Sequence, residues 1–174
     1  MIAPTLLTER LIIRPVEQRD WQPLSAIRAD EGVARFTGGV RSAQDVWFTM
    51  LRSHGLWAML GFGYWTAQHC ETGALIGEIG FADFKRGLDP DISGTPEAGW
   101  IIAPDAWGQG YASEAMTAAH DWLDKTHPGR STCIISPDNA ASIRVAKKLG
   151  YNDFALTDIG DDPIHVFERF SPQS

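Results

Sequence analysis

The amino-acid sequence predicts a mixed α/β fold in which helices pack against one β-sheet. Two apolar runs within 62–81 flank the turn C-E-T-G, a pattern typical of an antiparallel hairpin. Between 97 and 150 a strand, a helix, a second strand and a second helix follow one another, and this order requires a parallel strand pair joined by a crossover. With 174 residues, 44% of them hydrophobic, the chain is expected to form one domain over 1–174.

The first half of the chain is predicted to begin with a strand that ends at Pro15 and to continue through two helices into the hairpin. Ser42 is the residue type of an N-cap, and Asp45 supplies an acid to the first turn of the helix that follows. A stretch rich in Gly, Pro and Asp then predicts a loop. In order, the segments are strand 8–15, helices 19–30 and 42–54, strands 62–68 and 74–81, and loop 85–96.

The second half is predicted to alternate strands with two amphipathic helices and to close with a pair of strands. Asp138 or Asn139 caps the second helix, and Gly150 suits its C-terminal end because glycine readily adopts the left-handed conformation found there. The segments are strand 97–102, helix 110–125, strand 131–136, the helix that ends before Gly150, and strands 151–157 and 164–170.

Composition and charge exclude several classes of protein. A formal net charge of −7 argues against a nucleic-acid binder, which carries a basic surface, and is compatible with a cationic substrate. Cys70 and Cys133 are distant in sequence and lack metal-ligand spacing, which favours a reducing, cytoplasmic compartment. No segment approaches the ~20 apolar residues of a membrane span, and the five histidines show no ligand spacing, so neither a membrane nor a metal is expected.

The stretch W-G-Q-G-Y-A-S-E-A, residues 107–115, joins a predicted strand to a predicted helix with little side-chain bulk. The first N–H groups of a helix have no partner within the helix, and with the helix dipole they form an anion site. Gly108, Gly110 and Ala112 remove the side chains that would block a ligand. The turn therefore predicts a cradle for a phosphate or diphosphate, or, as the alternative, a connection whose glycines only permit unusual torsions.

Two common phosphate loops do not fit this turn. The nucleotide-triphosphate loop G-x-x-x-x-G-K-[ST] is absent from the sequence. The dinucleotide pattern G-x-G-x-x-G has Ser113 at its third glycine, and Asp121 and Asp124 come too early for the ribose-binding acid. A nicotinamide dinucleotide is therefore not the expected ligand.

Three patterns occur in a fixed order along the chain: the strand E-A-G-W-I-I at 97–102, the turn G-x-G-x-A at 108–112, and N-A-A-S-I-R-V-A-K-K-L-G-Y at 139–151. Together they resemble the GNAT N-acetyltransferase superfamily. The opening L-L-T-E-R-L-I-I-R-P at 6–15 and the closing strands are similar to the branch that acetylates ribosomal-protein N-termini, such as N-terminal alanine, and assorted small amines.

The resemblance implies a GNAT fold, with a central mixed sheet, a splayed parallel strand pair and flanking helices. It implies an acyltransferase that moves acetyl from acetyl-CoA, its cosubstrate, to a primary amine by direct attack. The amine belongs to a protein N-terminus or to a small molecule, and a homodimer is common in the family. The alternative is a non-catalytic module that binds or senses acyl-CoA.

The resemblance also implies which residues hold the coenzyme. Main-chain groups of the central strand bind pantetheine, the glycine turn binds the diphosphate, and the start of the later helix contacts pantetheine. Trp107 stands where the family usually has Gln or Arg, and Ala146 stands where many members have a general-acid tyrosine. The coenzyme-binding residues carried over are Ile101, Ile102, Trp107, Gly108, Gln109, Gly110, Tyr111, Ala112, Asn139 and Ser142.

Three residues are candidates for catalysis. Glu97, at the start of the central strand, is the first candidate for the general base that deprotonates the amine, and Glu78 in I-G-E-I-G-F is the second. Ser142 resembles the serine that the branch places near the coenzyme sulfur, where it would assist the leaving thiolate. Each also has a structural alternative, as a strand-end carboxylate or a residue on a helix surface.

Overall fold

A computed structural model describes residues 3–172 and contains a twisted eight-stranded sheet with helices on both faces. The strands are β1 (Leu6–Leu7), β2 (Leu11–Arg14), β3 (Tyr64–His69), β4 (Leu75–Ala82), β5 (Glu97–Ile102), β6 (Arg130–Ile135), β7 (Asn152–Ile159) and β8 (Asp162–Phe170). Their order across the sheet is β1-β2-β3-β4-β5-β6-β8-β7. The β5–β6 pair is parallel and the other pairs are antiparallel, as the sequence predicted.

Five α-helices accompany the sheet within the described residues: α1 (Trp21–Ala29), α2 (Glu31–Ala34), α3 (Ala43–Leu60), α4 (Tyr111–Thr126) and α5 (Ala140–Lys148). α4 is the crossover between β5 and β6, and α5 follows β6. Because β5 and β6 are parallel, both of these helices begin at the same edge of the sheet, beyond the carboxyl ends of the two strands.

One predicted cap is confirmed here, and the helix that it begins is longer than predicted. The Ser42 hydroxyl accepts from the Asp45 N–H at 3.1 Å, and the Asp45 carboxylate accepts in return from the Ser42 N–H at 3.2 Å, which forms a capping box. Helix α3 continues past 54 to Leu60 because Trp57 and Leu60 pack against the core, and it ends at Gly61 with a φ of 77°.

The beginning of the chain differs from the prediction. The single strand expected over 8–15 is a tight hairpin, in which the Thr8 N–H donates to the Leu11 carbonyl at 3.0 Å and the Thr8 hydroxyl accepts from the Leu11 N–H at 2.9 Å. The short helix α2 was not predicted; Asp30 caps it by accepting from the Val33 N–H at 3.0 Å. Both elements depend on threonine or aspartate side chains that bond the main chain locally.

The two faces of the sheet differ in polarity. The face under α4 is apolar, and the fully buried Trp65, Ile79 and Phe81 pack there against Met116 of α4. The opposite face, called the α1 face below, lies towards α1 and the start of α3. Strand register puts several polar side chains and glycines on it: Tyr64, Thr66, Glu78, Gly80, Glu97 and Gly99.

Within residues 3–172, no helix combines the length and apolar character needed to cross a membrane. The same part of the chain contains no group of three or more His, Cys, Asp or Glu side chains arranged to hold a metal ion.

Candidate active site

The parallel pair β5–β6 separates along most of its length. A single register pair, Glu97 with Thr132, joins the two strands, and the Thr132 N–H donates to the Pro96 carbonyl at 3.0 Å. Beyond this point β6 pairs only with β8 on its other side. The edge of β5 from 98 to 102 therefore opens a gap in the middle of the sheet, with main-chain donors and acceptors that a ligand can pair with.

Strand register decides which residues face this gap. The Ala103 N–H donates to the Ile76 carbonyl of β4 at 2.8 Å, and main-chain direction alternates along an antiparallel strand. Ile101 therefore turns its main-chain groups toward β4, although the sequence named it as a pantetheine contact. Trp100 and Ile102 turn theirs toward the gap. The Ile102 carbonyl is already occupied, because Trp107 Nε1 donates to it at 2.7 Å.

The glycine turn adopts a conformation that glycine favours. Gly108 and Gly110 have φ values of 72° and 84°, in the left-handed region. A Cβ on Gly108 would meet no atom within 4 Å, so the space beside it is open. The first main-chain bond of α4 runs from the Glu114 N–H to the Gly110 carbonyl at 3.0 Å. The N–H groups of 111–113 thus have no partner within the helix. Such unpaired groups are the physical basis of the anion site that the sequence predicts.

Arg10 adds a cation to this turn, which sequence reasoning missed. Its Nη1 donates to the Gln109 carbonyl at 3.1 Å, its guanidinium lies 4.3 Å from the centre of the Tyr111 ring, and its Nη2 would lie 3.6 Å from a Cβ on Gly110. Tyr111 itself is buried and packs edge-on against His69. The Gln109 side chain bonds the Asp105 carbonyl at 2.8 Å and so holds the turn. No local pattern signals Arg10, because about a hundred residues separate it from the turn.

Glu114, an acid in the first turn of α4, is fully neutralised. Its carboxylate accepts from the Thr8 hydroxyl at 2.6 Å, the Arg10 N–H at 2.9 Å and Arg10 Nε at 2.7 Å. Burial alone would raise the pKa of Glu114, but the bonds from Thr8 and Arg10 outweigh it and lower this pKa. The negative charge therefore points at the β1–β2 turn and leaves the N–H groups of 111–113 free for another anion.

The start of α5 lies at the same edge of the sheet as the glycine turn. Asn139 caps the helix, and its Oδ1 accepts from the Ser142 N–H at 3.0 Å. The amide nitrogen of Asn139 and the hydroxyl of Ser142 form no hydrogen bond to the described residues, and both side chains are half-buried. Ala146 is fully buried in the core, so the position of the family's tyrosine is filled by packing here.

Both candidate bases lie on the α1 face and are paired with arginines. Glu97 is buried, and its two oxygens accept from Arg86 Nε and Nη2 at 2.8 Å each. Glu78 is also buried and pairs with Arg28 from α1. The structure thus brings both carboxylates to the side of the sheet away from α4, beside the open strand, and gives each one a cation.

A second residue that the sequence analysis missed lies between these ion pairs. Tyr64 of β3 is in register with Gly80 of β4, and Gly80 is in register with Gly99 of β5. Of these three neighbouring residues, only Tyr64 has a side chain. The ring of Tyr64 crosses the space over Gly80, and its hydroxyl reaches Gly99. Nothing in the local sequence distinguishes Tyr64 from the other aromatic residues of its strand.

A cleft of about 590 Å³ lies near the start of β5, between the loop before that strand and the β7–β8 hairpin. Arg86 lines it and also holds Glu97, so the cleft leads toward the first residue of the open strand. The lining residues are Phe84, Arg86, Gly87, Leu88, Asp89, Thr157, Asp158, Ile159 and Gly160.

These features place an open strand edge beside a helix start whose first N–H groups are unpaired. Comparison with known proteins identifies the class. The profile of the acetyltransferase (GNAT) domain matches residues 10–152, so the chain belongs to the GNAT acetyltransferase family, as the sequence motifs predicted. It is accordingly an acyltransferase that depends on acetyl-CoA.

Individual relatives agree with this membership. YnaD of Bacillus subtilis, an uncharacterized N-acetyltransferase, is 31% identical over 149 residues, which cover 83% of this chain and 81% of YnaD. An acetyltransferase from Agrobacterium tumefaciens has a crystal structure that is 27% identical with a TM-score of 0.83, and 97% of this chain covers 95% of that one. RimL, a ribosomal L7/L12 α-N-protein acetyltransferase solved with coenzyme A, shares the fold at a TM-score of 0.75 and 13% identity, over 96% of this chain and 98% of RimL.

Proposed function

We propose that this chain is an N-acetyltransferase that transfers the acetyl group of acetyl-CoA to a primary amine at the gap between β5 and β6. The observation that carries this proposal is the meeting of an open strand edge with a glycine turn whose N–H groups are unpaired. Acetyl-CoA has a diphosphate and an amide-containing pantetheine arm, and the two halves of the site match those two chemical groups.

In this proposal the N–H groups at the start of α4 bind the diphosphate, and Gly108, Gly110 and Ala112 let it approach. Tyr111 and Gln109 shape the turn, and Trp107 holds it against the end of β5 through the Ile102 carbonyl. The Arg10 guanidinium lies beside this turn and supplies a cation for the phosphates. Because Ile101 faces β4, Trp100 replaces it as the main-chain partner of pantetheine, while Ile102 contributes its N–H. From α5, the Asn139 amide nitrogen bonds the same arm.

The reaction is a direct displacement. The neutral amine nitrogen attacks the thioester carbon, the C–N bond forms, the C–S bond breaks, and the proton lost by the nitrogen ends on the coenzyme thiolate. Ser142 is the proposed donor to that thiolate, because its hydroxyl is free at the start of α5. A thiol with a pKa near ~8.5 leaves with little help, so only modest assistance is required.

Glu97 is the proposed base, with Glu78 as the second candidate, and their arginine partners restrict what they can do. Both oxygens of Glu97 accept from Arg86, so the carboxylate can take a proton only on the lone pairs that these bonds leave free. Deprotonating a lysine-like amine of pKa ~10.4 at pH 7 costs about 4.6 kcal/mol, whereas an α-amine of pKa ~7.8 costs about 1 kcal/mol. A site whose candidate bases are both paired with arginines therefore fits an acceptor whose amine has a low pKa.

The cleft at the start of β5 is the proposed entrance for the acceptor. Asp89 and Asp158 line it, and neither carboxylate forms an ion pair with another residue of the described chain. Together with the net charge of −7, this lining favours an acceptor that is cationic in solution and is deprotonated at the site. A peptide N-terminus and a small primary amine both satisfy this requirement.

The test is a thiol-release assay with acetyl-CoA and a panel of primary amines matched in size but differing in pKa, including peptides with free N-termini. We expect turnover at pH 7 to be greatest for amines with pKa values near 8. A non-catalytic acyl-CoA module predicts a different result: a rise in melting temperature with acetyl-CoA and no thiol release with any amine. That outcome would refute the transferase function while retaining the coenzyme site.

The base assignment has its own test. Glu97→Gln keeps the shape of the side chain but cannot accept a proton, so kcat/KM for the amine at pH 7 should fall by about a hundredfold relative to the parent protein. Glu78→Gln is the matched variant on the same face. A kcat/KM unchanged in the first variant and lowered in the second would transfer the role to Glu78.

A further inference from the structure

Tyr64 presents a hydroxyl to the middle of the open strand. Its ring lies over Gly80, and a Cβ added to Gly99 would collide with the Tyr64 hydroxyl and lie 3.2 Å from its Cζ. The main chain of Tyr64 is fixed from α3, because its carbonyl accepts from the Ser53 hydroxyl at 3.1 Å and from Trp57 Nε1 at 3.0 Å. The hydroxyl is therefore held at Gly99 by contacts on both sides.

This hydroxyl is unoccupied. Among residues 3–172, no donor or acceptor forms a hydrogen bond with Tyr64 Oη. The hydroxyl therefore keeps hydrogen-bonding capacity that a ligand can use. Gly80 and Gly99 carry no side chain on this face of the sheet, and the Tyr64 side chain occupies the space beside Gly99.

The charges around Tyr64 belong to two ion pairs and one further arginine. The Arg28–Glu78 pair lies on the side of β4, and the Arg86–Glu97 pair lies toward the start of β5. Arg52 of α3 adds a third cation. Burial raises the pKa of Tyr64, and the nearby Glu97 carboxylate raises it further. The hydroxyl consequently stays protonated and uncharged at neutral pH, and acts as a hydrogen-bonding group rather than as an acid or a base.

We propose that the Tyr64 hydroxyl accepts a hydrogen bond from the acceptor amine and aims its lone pair at the acetyl carbon. The proposal deepens the proposed function and rests on it. An amine that enters over the α1 face reaches Gly99 beside Tyr64 Oη, while the thioester lies in the gap next to the same residue. No described residue bonds the Tyr64 hydroxyl, so its oxygen lone pairs are available to the amine N–H.

The first test removes only the hydroxyl. Tyr64→Phe should lower kcat/KM for the amine at least tenfold while the dissociation constant of acetyl-CoA stays within twofold. Because the hydroxyl is uncharged throughout, the ratio of wild-type to variant kcat/KM should be constant from pH 6.5 to 9.5. Tyr151→Phe is the matched control: its hydroxyl bonds His120 and Ser131 in the interior, so this variant should lose stability and keep kcat/KM.

The second test displaces the hydroxyl without removing it. Gly99→Ala puts a methyl group against Tyr64 Oη and should lower kcat/KM for the amine to a similar degree. In the Tyr64→Phe background the same methyl meets no hydroxyl, so Gly99→Ala should cost less than threefold there. This non-additivity identifies contact with the hydroxyl as the cause, since a general effect on folding would multiply across the two changes.

The outcomes separate this proposal from the proposed function. If the wild-type protein turns over amines and Tyr64→Phe matches it in kcat/KM, the role of Tyr64 is refuted and the transferase function stands. An equal loss of acetyl-CoA affinity in Tyr64→Phe would also refute it, because the residue would then act on the coenzyme. If the wild-type protein acetylates no amine, both proposals fall together.

Discussion

At the scale of single residues, the proposed coenzyme site depends on glycines, which have no side chain to block a ligand. Gly108 and Gly110 supply left-handed torsions and leave the approach to the N–H groups of 111–113 open. The turn that contains these two glycines was predictable, since glycines before an apolar helical pattern indicate both a connection and a possible anion site. Arg10 and Tyr64 were not, because each reaches the site from a distant element.

Replacing Gly108 tests the coenzyme site directly. Asparagine and aspartate tolerate the left-handed region about equally and have the same shape, so Gly108→Asn and Gly108→Asp differ mainly in charge. We expect the dissociation constant of acetyl-CoA, measured by calorimetry, to be about tenfold higher in the aspartate variant than in the asparagine variant. The difference should shrink at 1 M salt, where charges are screened.

Gly94 provides the control for that comparison. It has a φ of 82°, a Cβ there would meet nothing within 4 Å, and it lies in the loop before β5. Gly94→Asp should leave the affinity for acetyl-CoA unchanged. Equal affinities in the two Gly108 variants would contradict the assignment of the diphosphate to this turn.

At the scale of elements, the start of α4 is anchored to the β1–β2 turn. Glu114 joins the two through Thr8, the main chain of Arg10 and the Arg10 guanidinium. These bonds orient α4, whose first N–H groups form the proposed anion site. They also engage Glu114, the acidic residue in the first turn of α4. The partners of Glu114 come from a segment about a hundred residues earlier in the chain, so no local pattern indicates them.

Removing the charge of Glu114 should weaken this anchor. Glu114→Gln is expected to lower the free energy of unfolding by about 1–2 kcal/mol at pH 7, a value that allows for the partial exposure of Arg10. The pKa of Glu114 is lowered in the folded protein, so its contribution is present above the pKa of the unfolded state and is lost as the pH falls.

Urea unfolding at several pH values measures both effects. The difference in free energy of unfolding between the parent protein and Glu114→Gln should become smaller as the pH falls below about 4.5. Glu71→Gln, an exposed change in the β3–β4 turn, should leave stability within about 0.5 kcal/mol. A difference in free energy of unfolding that stays constant across the pH range would indicate that packing, rather than charge, explains the role of Glu114.

At the scale of the whole molecule, a buried polar network joins both halves of the splayed region. His120 of α4 bonds the Met116 carbonyl through Nδ1 at 2.7 Å and Tyr151 Oη through Nε2 at 2.9 Å, and Tyr151 Oη bonds the Ser131 hydroxyl of β6 at 3.0 Å. Tyr151 follows α5 and precedes β7. The network therefore connects α4, β6 and the closing strands behind the gap, where the sheet itself has few bonds between β5 and β6.

This network makes stability sensitive to acid. Burial lowers the pKa of His120 to about 4 from an ordinary value of 6.5, so the folded protein keeps the ring neutral while the unfolded chain protonates it. The free energy of unfolding should fall as the pH drops from 6.5 to 4, by a total on the order of 3 kcal/mol from this residue, and then level off.

The contribution of His120 is obtained by difference. His120→Gln should show a smaller loss of unfolding free energy between pH 6.5 and 4.5 than the parent protein, and the exposed His54→Gln should show the parent's loss. A loss in His120→Gln as steep as the parent's would mean that other groups cause the acid sensitivity.

Local chemistry explains which parts of the fold were predictable. The Ser42 and Asn139 caps and the β3–β4 turn at Gly73 depend on residues within one or two turns of each other, and all three are present. The parallel pair around α4 was predictable from the order of the elements along the chain. The first strand and the length of α3 were mispredicted because side-chain bonds from Thr8 and core contacts of Trp57 overrode the local pattern.

By itself, the sequence determined the elements of this acetyltransferase, its family and the turn proposed to bind the diphosphate, because short-range torsions, caps and periodicity govern those features. Tertiary structure alone decided that Trp100 rather than Ile101 faces the gap, and that Arg86 and Arg28 occupy the two candidate bases. It also brought Arg10 and the free hydroxyl of Tyr64 to the site. The physical reason is that register and ion pairing join residues far apart in the chain, and their geometry exists only when the sheet has assembled.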